Sequence, residues 1–253
     1  MVVFSNMDML AKRSFYYETR PARQMLPAGQ SSVQLLSRLS KQDLDKFDQI
    51  VEQHRPIDKG EYLYQASKEF KSVFLLKTGA IKTVKNTHKG HERVTGFYFP
   101  GEIVGVDGLA SNHHSNSAIA LERSTVSIIP FSRLEKISSD NPDIQRWFFQ
   151  VLSKSIIHEQ QLMTLINTQQ AQERVIFLLL NLSRRYSSRG LSAKEFFLPM
   201  SRTDIGNYLG ITIETVSRVL SRLQKFNLIK VDKKLIFLAD IDKLASMVSM
   251  NNE

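Results

Sequence analysis

SRTDIGNYLGITIETVSRVLSRLQK, residues Ser201–Lys225, is the most informative stretch of this 253-residue chain. Asp204, Ile205, Tyr208 and Leu209 fall at the spacing of a short amphipathic helix. Gly210 follows its last turn, where a positive φ ends a helix, and Thr212 is placed to cap the next helix with Glu214 in its first turn. Gly206 has no side chain and lets two helices approach closely. Ile211, Val216, Val219, Leu220 and Leu223 belong to a buried side, and on the second helix Glu214, Ser217, Arg218 and Arg222 share the opposite one. This is a helix-turn-helix pattern whose polar face suits the major groove of double-stranded DNA: arginine pairs bidentately with guanine, glutamate accepts from an exocyclic amine, and serine reaches either base type. A solvated helix in a bundle carries similar residues. The glycine turn, Gly206, the cap and the β-rich runs Ile229–Val231 and Leu235–Leu238 favour a winged helix instead. Ser201 and Thr212 join the candidate DNA contacts, and Lys233 and Lys234 at the wing tip are expected to meet phosphate.

Upstream, a helical run around Val175–Leu182 opens this DNA-binding domain, which is assigned to residues 170–253. From residue 171 onward the chain holds thirteen Lys and Arg against eight Asp and Glu, a large share of its overall +9. Before it, Asn141-Pro142 reads as a cap followed by proline at the first helical position, and nothing breaks the helical pattern until Thr168. At 1.5 Å per residue the resulting helix, residues 141–169, is ~40 Å long. Phe149, Leu152, Ile156, Glu159, Met163 and Ile166 follow one another at steps of three and four, a heptad seam with one acidic interruption. A second stripe, Ile144, Trp147 and Val151, points elsewhere. A helix that only covers its own domain needs one stripe, and two favour a homodimer. Glu159 would then face its own symmetry mate, with Lys154 or His158 as a compensating cation.

Residues 31–140 are a β domain after a short helical stretch (Val33, Leu36, Leu39, then Leu44, Phe47, Ile50 and Val51). Runs such as Val73–Leu76, Ala80–Val84, Val94–Phe99 and Val126–Ile129, set between glycines, indicate an antiparallel sandwich or jelly roll. Residues 1–30 form an arm without a sustained period. Cysteine is absent, which excludes disulfides, thiolate chemistry and cysteine-ligated clusters. There is no membrane-length apolar run and no secretory h-region, so a cytoplasmic protein with no membrane partner is expected.

These features together resemble the Crp/Fnr family of bacterial transcription regulators, and the Fnr branch most closely. DIGNYLG (Asp204–Gly210), ETVSR (Glu214–Arg218), NLSRR (Asn181–Arg185) and TGF (Thr95–Phe97) carry the likeness. The resemblance implies an α+β fold with an N-terminal β-roll of the cyclic-nucleotide-binding kind, a long dimerisation helix and a C-terminal winged helix-turn-helix. It implies an activator that binds inverted TTGAT-like half-sites through Glu214, Ser217 and Arg218 and engages RNA polymerase. Fnr proteins hold a [4Fe–4S] cluster on cysteines; here Leu36 and Ser127 stand at two of the matching places. Cyclic AMP, the other family ligand, is held by a glutamate and an arginine that Gly105-Val106-Asp107 and Asn116-Ser117 replace. No cofactor is expected, and DNA binding should be indifferent to both oxygen and cyclic AMP.

Other functions rest on thinner patterns. Adjacent His113 and His114 would point apart in a strand and have no third ligand nearby, so surface-loop histidines are the expectation, with no metal site. His88, His91 and Glu92 raise a metal-dependent cupin-type enzyme, but its HxH cluster is missing and no catalytic residue is assigned. The β-roll as sensor of an unidentified small effector, and a constitutive DNA binder set by its abundance, both remain open.

Overall fold

A computed structural model of the chain describes residues 39–86 and 92–249. The N-terminal arm, Val33, Leu36, His88 and His91 lie outside the described residues.

Helix α1 (Lys41–Ile50) starts at Ser40, whose hydroxyl accepts from the Asp43 N–H at 3.1 Å. Short strands follow: β1 (Gln53–Ile57), β2 (Tyr62–Tyr64), β3 (Ser72–Thr78), β4 (Ile81–Asn86), β5 (Glu92–Tyr98), β6 (Ile103–Val104), β7 (Ser117–Ala120) and β8 (Ser124–Pro130). They pair antiparallel in two sheets of order β1-β8-β3-β6 and β2-β7-β4-β5. Ile57, Leu76, Val104 and Val126 of the first sheet meet Leu63, Ile81, Ala118 and Ala120 of the second in one buried cluster, so the sheets form a sandwich. Strand alternation sends Val73, Leu75 and Ile129 to the outer face of the first sheet. Helices cover that face, with Phe47 from α1, Leu134 from α2 (Phe131–Asp140) and Ile144, Trp147, Phe148 and Val151 from α3 (Pro142–Thr168).

Asn141 caps α3 by accepting from the Asp143 and Ile144 N–H groups at 3.0 and 3.1 Å, and Pro142 takes the first turn. The helix runs 27 residues. Its roll-facing stripe is buried as the spacing predicts, while Phe149, Ile156 and Met163 on the other stripe are 60, 57 and 69% exposed. Glu159 is exposed beside them, and Leu152 and Ile166 are half-buried at the margin. His158 is not a seam residue. Its Nε2 lies 2.9 Å from the Tyr208 hydroxyl, which removes it as a partner for Glu159.

The remaining elements are α4 (Ala171–Ser187), β9 (Glu195–Phe197), α5 (Arg202–Leu209), α6 (Ile213–Lys225), β10 (Ile229–Asp232), β11 (Leu235–Leu238) and α7 (Ile241–Ser249). A capping box between Gln170 and Glu173 begins α4. The wing is a three-stranded sheet of order β10-β11-β9. One buried cluster runs from Val84, Val94, Phe97 and Phe99 of the roll into Leu179, Tyr208 and Leu209. Beside it Arg185 pairs with Glu102, donates to the Phe97 carbonyl at 2.6 Å and lies 4.6 Å from the Phe99 ring centroid. No described helix is long and apolar enough to cross a membrane.

Burial, with the Arg185 charge nearby, pushes His158 down from its ordinary 6.5 to about 4. The folded chain therefore keeps this imidazole neutral while the unfolded chain protonates it below pH 6.5, and stability present above that pH is lost as pH falls toward 4. Thermal melting across this range should show a falling midpoint whose slope is reduced in His158→Gln. Equal slopes in the two proteins would assign the acid sensitivity to other groups.

Candidate nucleic-acid interface

The helix-turn-helix is built by local side-chain chemistry. The Ser201 hydroxyl accepts from the Asp204 N–H at 3.0 Å, and the Asp204 carboxylate accepts from the Ser201 N–H at 2.9 Å, a capping box at the start of α5. A Cβ on Gly206 would stand 2.7 Å from the Ile211 carbonyl oxygen, so only glycine allows this approach. The Ile211 N–H in turn donates to the Gly206 carbonyl at 2.9 Å, and Gly210 closes the turn in the left-handed region at φ 66°. Thr212 caps α6 by accepting from the Thr215 N–H at 3.2 Å.

On α6, Val216, Val219, Leu220 and Leu223 are buried and Ile211 before it is half-buried, so the apolar side lies where the spacing places it. Glu214, Arg218 and Arg222 are exposed, and Ser217 is half-buried between them. Hydrogen bonds from its own backbone N–H and from the Thr212 side chain hold the Glu214 carboxyl below its ordinary range, leaving it an ionised acceptor. The Arg222 guanidinium sits 5.8 Å from the Phe226 ring centroid. Ser201 and Thr212 are exposed at the N-termini of α5 and α6, with their hydroxyls committed as caps.

Two residues of this face were not anticipated. Arg202 Nη1 donates to the Ser217 hydroxyl at 3.2 Å, and Ile213 in the first turn of α6 is 42% exposed. A basic residue beside the Ser201 cap, and an isoleucine off the apolar period of α6, were the available signals. The wing corrects an expectation. Lys233 is exposed at the hairpin tip with φ 53°, but Lys234 turns back, donating to the Pro199 carbonyl at 2.8 Å over the Phe197 ring. Of the pair, Lys233 is exposed and Lys234 is half-buried.

The family resemblance implies two groups for the β-roll, an iron–sulfur cluster and a cyclic nucleotide. Ser127 is buried and its hydroxyl lies 2.9 Å from His54 Nδ1, and the 253 residues contain no cysteine, so the residues present do not fit an iron–sulfur cluster. The donors of the roll's loop are also taken. Asp107 Oδ2 accepts from the Ser115 and Asn116 backbone N–H groups at 2.9 Å each and from the Ser115 hydroxyl and Asn116 amide at 3.1 and 3.2 Å. Its Oδ1 accepts from the Tyr64 hydroxyl at 3.2 Å and lies 3.3 Å from His114 Nδ1. Burial works against the Asp107 charge, yet the contacts with His114 and Asn116 keep its pKa below the ordinary carboxylate value. An anionic phosphate at this loop would find these donors occupied and a like charge in place, so the loop does not fit the phosphate of a cyclic nucleotide.

His114 is therefore not a surface histidine: it is buried, stacked 3.8 Å from the Tyr64 ring. Exposed His113 instead bonds the Ser111 carbonyl through Nδ1 at 3.1 Å. Among the described residues no group of three or more His, Asp or Glu is arranged to hold a metal ion. A cavity of about 570 Å³ does lie between the roll, α3 and α5, with Lys85, Arg93, Tyr98, Asp107, Leu162 and Tyr208 in its wall.

Comparison with known proteins agrees with this architecture. Residues 54–141 match the model of the cyclic nucleotide-binding domain, and residues 173–247 match that of the Crp-like helix-turn-helix domain. The chain is 42% identical over 209 residues to the transcriptional activator protein anr of Pseudomonas aeruginosa, covering 83% of this chain and 86% of that one. It is 41% identical over 209 residues to the fumarate and nitrate reduction regulatory protein of Escherichia coli K12, covering 83% and 84%. The solved structure of FixK2 from Bradyrhizobium japonicum superposes with a TM-score of 0.71 at 29% identity, covering 77% of this chain and 96% of that one. With a β-roll, a long helix and a helix-turn-helix in this order, and with relatives this similar over most of its length, the chain belongs to the Crp/Fnr family of DNA-binding transcription regulators.

Proposed function

We propose that the protein reads an inverted repeat of TTGAT-like half-sites as a homodimer, as a regulator and not a catalyst, without an iron–sulfur cluster or cyclic AMP. The observation that carries the reading is the division of α6, with Val216, Leu220 and Leu223 buried and Glu214, Arg218 and Arg222 exposed on the other side. Arg218 suits guanine O6 and N7, Glu214 suits an exocyclic amine, and the exposed apolar surface of Ile213 suits a thymine methyl. Arg202, Arg222 and Lys233 supply cations for the flanking phosphates. Transcriptional activation follows from the likeness to the activator protein anr, and contact with RNA polymerase is what the family resemblance implies.

The exposed stripe Phe149, Ile156 and Met163 supports a second copy as the partner of α3, since a two-fold pair gives each recognition helix its own major groove about 34 Å apart. A small effector in the 570 Å³ cavity is the second reading, with Lys85, Arg93 and Asp107 as the charged groups that would meet it.

Arg218→Ala should cost ~1–3 kcal/mol per half-site and relax specificity at one guanine, whereas Lys233→Ala should weaken all sequences about equally. A gel-shift series on specific and random duplexes at several salt concentrations separates the two; equal losses for both variants on both duplexes would contradict these roles. Two Glu159 carboxylates in a shared seam repel, so Glu159→Leu should shift the monomer–dimer equilibrium toward dimer in sedimentation at neutral pH. An unchanged equilibrium would place Glu159 outside the interface.

A further inference from the structure

DNA reading accounts for Glu214, Ser217 and Arg218 but leaves much of three sequence motifs unexplained: Asp204, Asn207 and Tyr208 of DIGNYLG, Arg185 of NLSRR and Phe97 of TGF. The fold brings all of them to one place. Strand β5 is the edge of its sheet, and an edge strand presents backbone N–H and C=O groups that require partners. The Asn207 side chain supplies both. Its Oδ1 accepts from the Val94 N–H at 2.7 Å, and its Nδ2 donates to the Glu92 carbonyl at 2.7 Å, the pair of bonds that a neighbouring strand would make. One helical turn earlier, Asp204 accepts from Lys82 of β4 at 2.7 Å, with both side chains largely buried. Tyr208 packs on Phe97 with ring centroids 5.0 Å apart, and its hydroxyl meets His158 of α3. Arg185 ties the carbonyl of the same Phe97 to α4.

We infer that the β4–β5 face of the roll is a docking seam that fixes the orientation of the reading head, with Asn207 as its positioning residue. Apolar packing alone tolerates sliding. Two directed bonds to one strand edge, an ion pair to the adjacent strand and a ring contact do not. All of these contacts fall on α5, which carries α6 across the tight Gly210 turn, and the base-reading side chains of α6 stay exposed. Docking thus sets where α6 points without covering it.

The consequence rests on the proposed dimeric reading. Once one head is bound, the second meets its half-site at an effective concentration set by how well its position is fixed, and a loosely tethered head loses that advantage while tolerating misplaced half-sites. Asn207 touches no DNA in this account, so its effect should appear on paired half-sites and not on single ones.

The test uses the full chain, wild type and Asn207→Ala, with two readouts. Hydrogen exchange should show the Val94 amide protected in the wild type and exchanging at least tenfold faster in the variant, while β4 amides keep their protection. Binding is then measured to duplexes with one TTGAT half-site, with the inverted repeat, and with that repeat widened by two base pairs. The variant should bind the single half-site like the wild type, bind the inverted repeat about tenfold more weakly, and lose less than the wild type on widening. Unchanged Val94 exchange overturns the seam whatever the DNA result. Unchanged or tighter binding to the inverted repeat overturns it as well, as does an equal loss on single and paired half-sites. Arg218→Ala, which should weaken even the single half-site, isolates failure of the DNA reading from failure of the seam.

Discussion

A helix of 27 residues can turn only one side to the domain it grows from, and Pro142–Thr168 carries apolar residues on two. Ile144, Trp147 and Val151 are used up against the roll. Phe149, Ile156 and Met163 keep more than half of their surface in water, and removing that part would contribute up to roughly 1–2 kcal/mol each, a fraction of the value for complete burial. That gain outweighs what a surface ion pair contributes, so the seam and not charge pairing is the natural drive for association. Pairing along this helix would set two reading heads on a common axis, and each feature of the C-terminal half acquires its purpose from that arrangement. Exposed Glu159 within the stripe opposes the gain, which makes it a natural point for tuning association.

The reading head depends on a few hard steric facts and several soft electrostatic ones. Gly206 and Gly210 belong to the hard kind: a Cβ at the first would stand 2.7 Å from a carbonyl oxygen, and the second holds a left-handed φ. The caps at Ser201 and Thr212, each typically worth about 1 kcal/mol, align the two helix starts. In the roll, Asp107 does with a fixed carboxylate what a bound anion would do, joining Tyr64, Ser115 and Asn116 around one charge. These bonds tie the Ser115–Asn116 loop to Tyr64 of β2.

Legibility followed the range of the interaction. The helix-turn-helix, the Asn141-Pro142 start of α3 and the β10–β11 hairpin come from neighbours within a few residues, and the spacing of Ser201–Lys225 and Ile229–Leu238 revealed them. Strand β9 has three residues and α2 buries only Leu134, too little to leave a period, and α7 lay beyond the last stretch that showed one. Side-chain direction was harder still. Lys234 looked like a free cation until the fold brought Pro199 within reach, and His114 looked exposed until Tyr64 stacked on it. Asn207 bonds to residues 113 and 115 positions away and Asp204 reaches Lys82 across 122, so no local pattern could show these docking contacts, although the Ser201–Asp204 capping box is itself local.

As a homodimer the protein would be a two-headed reader of a symmetric site. Selection of bound duplexes from a random pool, with purified protein in air and without added nucleotide, tests it most directly. A two-headed reader should enrich two inverted half-sites with centres one helical turn apart, ~34 Å. Enrichment of a single unrepeated motif, or no enrichment at all, would contradict it.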